Sequence, residues 1–298
     1  MKIRIIILML LLPLGAMHAK NIKVMLLTGQ TDKYHRWKVT SAHLKATLGQ
    51  YKKFETDVVL IPKDSVKLRD FAPDFSKYQV VVLNQNGPNW PEKTKKAFVE
   101  FVQNGGGVVF VHEADNAFPK WKEYNQMAGL GGWKGRNEKS GPYYYWKDGE
   151  YIKDNSPGKA GKHGKREPFV INIRDTKHPI TKGLPEKWLH QNDELYGNLR
   201  GPAENIHVLA TAYSNPATRG TGKEELVFFT VTFGKGRIFH TVLGHTGDKF
   251  SDSVQDVGFQ VTFSRGTEWA ATGKVKQKVP KEFPTETEVL LKDLTQVK

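Results

Sequence analysis

Apolar residues in this chain gather into short runs, each closed by glycine or a polar cluster. Ile22 to Thr28 (IKVMLLT) is the first, and it ends at Gly29-Gln30-Thr31-Asp32. A run of this length bounded by turn residues predicts a buried strand. Thr56 to Ile61 and Tyr78 to Leu83 repeat the pattern, and the latter stops at Asn84-Gln85-Asn86-Gly87. Between the first two runs, Val39, Ala42, Leu44, Ala46 and Leu48 give Trp37 to Leu48 the content of a helix. Pro91 stands at a first helical position, and Ala97, Phe98, Phe101 and Val102 recur at helical spacing behind it. That helix runs into Gly105-Gly106-Gly107, and glycine accepts the left-handed backbone by which a chain leaves a helix. Val108 to Val111 then predicts a fourth strand, apolar throughout as in parallel sheets covered on both faces. Strands alternating with helices predict an α/β fold with a mainly parallel sheet.

Residues 129–166 break the rhythm. Nine glycines and nine Lys or Arg fall there, among Trp133, Tyr143, Tyr144, Tyr145, Trp146 and Tyr151. Linkers are seldom so aromatic, so this reads as an insertion that folds over the sheet edge. Strand patterns resume at Pro168 to Ile173, Ile206 to Ala212, Leu226 to Val231 and Arg237 to Leu243, with Gly234-Lys235-Gly236 as a hairpin turn between the last two. Val254 to Ala271 predicts a closing helix. Residues 273–298, with Pro280, Pro284 and mixed charge, predict an extended tail carrying one amphipathic turn around Val289-Leu290-Leu291. At the other end, Lys2 and Arg4, the apolar stretch Ile5 to Leu14 and the small-residue close at Ala19 have the form of a secretory signal peptide over 1–19. The expectation is an exported protein, periplasmic or secreted, with one domain over 20–272.

The chain has no cysteine. This excludes disulfides, thiolate metal sites, a cysteine nucleophile and a lipoprotein anchor. The net charge is +14, which suits either an anionic partner such as an acidic glycan or simply a lysine-rich surface. No phosphate-binding loop is present, since the triple glycine precedes a strand instead of following one. Neither nucleic acid nor a membrane anchor is expected, and the sequence assigns no oligomeric state.

Chemistry-bearing residues collect at one topological position. His35 follows the first strand, His112 closes the fourth and His245 follows a late one. Ligands of open α/β sheets bind outside the carboxyl ends of strands, so the three can share a crevice. Imidazole there serves as acid, base or metal ligand. His112 is the expected acid/base, with Glu113 or Asp193 orienting and polarising it. Glu194 stands beside Asp193 in the run Gln191-Asn192-Asp193-Glu194-Leu195-Tyr196, which lacks regular periodicity. His35, Trp37, Gln85, Tyr196 and His245 are expected substrate contacts, joined by Trp133 and Tyr144 of the insertion, whose flat rings suit the apolar face of a sugar. The long-range spacing of the histidines matches no compact metal motif, so no metal ligand is assigned. A divalent metal held by the three histidines and one carboxylate is the alternative they leave open.

Taken in order, several segments carry a family resemblance. They are Gly29 with His35-Arg36-Trp37, Phe98-Val99-Glu100-Phe101-Val102, Gly105-Gly106-Gly107 and Val111-His112-Glu113-Ala114. After these come His178-Pro179-Ile180-Thr181-Lys182-Gly183-Leu184-Pro185, Asp193-Glu194-Leu195-Tyr196, Gly236-Arg237-Ile238-Phe239, Leu243-Gly244-His245 and Glu268-Trp269-Ala270. Over roughly residues 21–272 the chain resembles the ThuA-like family, named for a trehalose-utilisation protein. The resemblance implies a three-layer, flavodoxin-like sandwich of the class I glutamine amidotransferase type, and a place in sugar catabolism. It does not import glutaminase chemistry, because the nucleophilic cysteine of those enzymes has no counterpart here. The aromatic insertion and Glu113 after the strand-end histidine depart from the commoner family pattern. The expected activity is cleavage or rearrangement of a glycoside or keto-sugar by histidine and carboxylate acid–base chemistry. The alternative is a glycan-binding or accessory scaffold protein without catalysis.

Overall fold

The computed structural model describes residues 21–296; the signal peptide expected over 1–19 lies outside them. In chain order the elements are β1 (Ile22–Thr28), α1 (Trp37–Gly49), β2 (Phe54–Leu60), α2 (Ser65–Arg69), β3 (Val80–Leu83), α3 (Glu92–Gln103), β4 (Gly107–Val111), α4 (Lys122–Ala128), β5 (Tyr143–Lys147) and β6 (Glu150–Asp154). They continue with β7 (Glu167–Ile173), β8 (Lys187–Asp193), β9 (Ile206–Tyr213), β10 (Glu224–Phe233), β11 (Gly236–Thr241), α5 (Asp252–Gln255) and α6 (Val257–Thr272). One sheet runs in the order β2-β1-β3-β4-β11-β10-β9-β7-β8, with the β5–β6 hairpin joined to β10. From β2 to β11 every neighbour is parallel. Beyond β11 the sheet continues antiparallel. Helices α1 and α6 cover one face, α3 and α4 the other, which is the three-layer α/β sandwich.

Burial explains the centre of the parallel half, while β2 at its edge is largely exposed. Every residue of β3 and β4 is buried, and each fully buried Val or Leu contributes roughly 1.5–3 kcal/mol relative to exposure. Gly105 leaves α3 at φ +111, in the backbone region that favours glycine. The Gly234–Lys235 turn links β10 to β11 as an antiparallel hairpin.

Four expectations need correction. Gln191-Asn192-Asp193 is not irregular but the end of β8, whose inward positions include the fully buried Trp188 and His190. The insertion contains an unforeseen hairpin, β5–β6. The closing helix is two helices, because Asp256 turns to an extended backbone and its carboxylate caps α6 at the Phe259 N–H, 2.9 Å away. The tail carries no amphipathic turn at Leu291, which instead bridges Asp256. The tail straps the molecule: the Leu189 N–H donates to Thr285 O at 2.7 Å, covering the β8 edge. Among the described residues no helix is long and apolar enough to cross a membrane.

Candidate functional site

The carboxyl ends of β1, β3, β4 and β11 meet at one edge, and β8 runs the same way after four antiparallel reversals. The loop after β1 brings Asp32 and His35, the loop after β3 brings Asn86, and a single 3-10 turn after β4 brings His112, Glu113 and Asn116. Gly244, at φ +115, turns the chain after β11 so that His245 faces inward. The end of β8 supplies Glu194 and Tyr196. These residues surround a cavity of about 550 Å³ lined by Asp32, Tyr34, His35, Asn86, Asn116, Trp133, Lys134, His163, Glu194, Tyr196 and His245. A larger cavity of about 740 Å³, between α6 and the C-terminal strap, has no histidine in its walls.

The three histidine rings form a near-equilateral triangle, with centroids 5.1 Å (His35–His112), 5.0 Å (His35–His245) and 5.3 Å (His112–His245) apart. Nδ1 of His112 donates to Val242 O at 2.6 Å, which leaves Nε2 as the acceptor facing His245 Nδ1 at 3.3 Å. His245 Nε2 lies 3.5 Å from Glu194 Oε1. His35 Nδ1 donates to Asp32 Oδ1 at 2.8 Å and lies 3.1 Å from Glu113 Oε2, while its Nε2 meets the Tyr196 hydroxyl at 3.1 Å. Tyr196 stacks on the His112 ring, 4.1 Å between centroids. Trp133 packs on Tyr196 at 4.6 Å, so an aromatic wall rises from the histidine floor.

The charges are set by burial and by partners. Burial disfavours the His35 imidazolium, but Asp32 and Glu113 outweigh it and push the group up to about 10. Burial, reinforced by the His35 cation, drives His112 well below the usual histidine range. The same burial lowers His245 to about 4, against the pull of Asp193. Glu113 and Glu194 are both raised, chiefly by burial. At neutral pH the site therefore holds one imidazolium beside two neutral imidazoles.

Of the residues named from sequence, His35, Trp133, Glu194, Tyr196 and His245 line the cavity. His112 is 2% exposed and lies beneath Tyr196. Two expected partnerships are corrected. Glu113 pairs with His35, not His112. Asp193 is fully buried and accepts the N–H groups of Gly244 (2.8 Å) and His245 (3.1 Å), so it shapes the His245 loop and does not polarise His112. Three expected substrate contacts stand elsewhere. Trp37 opens α1, outside the cavity wall. Gln85 is fully buried and donates to the Tyr124 hydroxyl at 3.2 Å. Tyr144 is buried in β5 with its hydroxyl toward Ala203 O. Asp32, Asn86, Asn116, Lys134 and His163 were not anticipated. Asp32 shares the His35 loop and Lys134 adjoins Trp133, so the strand-end rule applied to whole loops would have found both.

A profile of the ThuA family, described as trehalose utilisation, matches residues 23–270. The chain is 52% identical to a ThuA-like protein from Parabacteroides merdae ATCC 43184, covering 94% of this chain and 100% of that one at a TM-score of 0.89. A ThuA-like protein from Bacteroides uniformis ATCC 8492 shares the fold at 17% identity, with a TM-score of 0.53 over 89% of this chain and 97% of that one. Among curated proteins none matches significantly. With the family profile spanning the whole sandwich, from β1 through α6, the chain belongs to the ThuA family, whose description ties it to carbohydrate metabolism.

Proposed function

We propose that this protein is exported and acts on a carbohydrate, cleaving or rearranging a glycoside or keto-sugar. One observation carries the reading: His35, His245 and Glu194 line a 550 Å³ cavity walled by Trp133 and Tyr196, with His112 clustered against them beneath Tyr196. A cavity of that volume suits one or two sugar rings. The aromatic wall fits a ring's apolar face. Asn86, Asn116, Asp32 and Lys134 offer donors and acceptors for hydroxyls. Asp32 and Glu194 on the wall are balanced by Lys134 and the His35 cation, so the cavity favours an uncharged sugar despite the basic surface.

In this reading His35 is a fixed cation that stabilises negative charge developing on a sugar oxygen. Glu194 and the neutral His245 face the cavity and can hold or move a proton. His112 positions them from below. Neutral glycosides and their keto derivatives, incubated with the protein, test the reading through product release. Turnover that falls at least a hundredfold in both Glu194→Gln and His245→Ala supports it. Glycan binding without turnover on any substrate favours a binding module instead.

A further inference from the structure

We propose that His35, His112, His245 and Glu194 form a binding site for one first-row divalent cation of the zinc class. The inference stands on donor geometry and does not need the sugar reading; with an ion bound, His35 releases its Nε2 proton and the ion takes over the positive charge that the imidazolium holds in its absence. Each of the four residues offers one donor atom, and the four atoms lie within 4.8 Å of one another. Donors about 2.0–2.1 Å from a tetrahedral ion sit roughly 3.3 Å apart. His112 Nε2 and His245 Nδ1 are 3.3 Å apart.

The surroundings of the rings give a second, independent observation. A histidine that binds a metal through one nitrogen characteristically donates its other N–H to a carbonyl or carboxylate, which fixes the tautomer and the ring. Here Nδ1 of His112 is held by Val242 O at 2.6 Å, and Nδ1 of His35 by Asp32 at 2.8 Å and Glu113 at 3.1 Å. Both Nε2 atoms are thereby aimed into the cluster. The His245 loop is fixed from behind by two backbone N–H groups on Asp193, and its carbonyl accepts the Ser253 hydroxyl at 2.5 Å. Three imidazoles and a carboxylate make a nitrogen-rich set that suits zinc, cobalt, nickel or iron and disfavours magnesium and calcium. The site opens into the cavity beside Trp133 and Tyr196. An ion there would be reached by a ligand oxygen, leaving Asp32 and His163 on the wall for contacts of their own.

The test is direct binding. Full-length protein is stripped with chelator, and Co²⁺ and then Zn²⁺ are titrated while visible absorbance and calorimetric heat are followed. One equivalent per chain is expected, with cobalt bands of low-symmetry, four- to five-coordinate nitrogen–oxygen ligation that Zn²⁺ abolishes. His245→Ala and Glu194→Gln should weaken binding at least tenfold. Glu113→Gln, on the Nδ1 side of His35 away from the donor cluster, should weaken it about 10- to 100-fold. His207→Ala, on the surface pair with Asp175, should bind like the parent. Circular dichroism of each variant separates lost binding from lost folding. Octahedral-type cobalt spectra, less than stoichiometric uptake, or affinity unchanged in folded His245→Ala would overturn the site. Stoichiometric binding without turnover of any sugar would sink only the proposed function; turnover by the stripped protein without binding would sink only the metal site.

Discussion

Glu113 follows His112 in the chain, yet its carboxylate turns away and lies 3.1 Å from His35 Nδ1, across the site. The 3-10 turn after β4 is the cause, since it sends successive side chains in different directions. His35 is therefore braced by two carboxylates, Asp32 and Glu113, and stays protonated to about pH 10 in spite of its burial. Neutralising either acid should lower that value. In the metal-free protein, Glu113→Gln and Asp32→Asn should each bring the His35 ring titration down by one unit or more, read from imidazole nitrogen shifts by NMR. A His35 signal that titrates alike in parent and both variants would remove the carboxylates as its cause.

His112 holds a left-handed backbone, φ +46, while its ring is buried under Tyr196. A left-handed conformation costs a non-glycine residue roughly 1–2 kcal/mol. His112→Ala keeps that strain and leaves a gap; His112→Gly leaves the gap but relaxes the backbone. The glycine variant should be the more stable of the two by about 1 kcal/mol in denaturant unfolding, with both inactive. An alanine variant as stable as the glycine one would show the turn to be unstrained.

The centre of the parallel half was readable because β3 and β4 are apolar without interruption. Val80–Leu83 and Val108–Val111 leave no doubt about period or burial. The strand-end histidines were readable for the same reason, since topology alone puts loops after parallel strands at one edge. β8 was hidden because the chain buries His190 between Asp193 and Asp256, so a core position looked polar. The β5 tyrosines were hidden in the opposite sense: Tyr143, Tyr144 and Tyr145 are aromatic in a row, and only pairing with β6 decides which ring points inward. Side-chain direction within a single turn, as with Glu113, is not encoded in any periodicity.

Trp133 is the insertion's aromatic side of the wall, beside Lys134 and His163, and packs on Tyr196 at 4.6 Å. If it carries the face of a sugar ring, Trp133→Ala should weaken ligand binding about tenfold, the factor expected for roughly 1.4 kcal/mol of lost aromatic contact. Tyr144→Leu, deep in β5, should change stability and leave affinity within about twofold. Calorimetry with a bound sugar distinguishes them; equal effects from both would move the binding face away from Trp133.

His190 sits fully buried, with Nε2 3.1 Å from Asp193 and Nδ1 3.2 Å from Asp256. Burial opposes its charge, but Asp256 and Asp193 prevail and push it up to about 9. A histidine in the unfolded chain titrates near ~6.5. The folded protein thus binds a proton that the unfolded chain has released between these values, and linkage fixes the sign. The stabilisation is fully present below about pH 6.5 and fades as pH rises through 9. Because Asp193 also anchors the His245 loop, the loss reaches the site. Thermal melts should show stability falling between pH 7 and pH 9.5. Asp256→Asn keeps an oxygen for the α6 cap but removes one of the two negative charges, so its fall should begin at lower pH than the parent's. Identical pH dependence in parent and Asp256→Asn would mean that the buried ion network does not govern stability in this range.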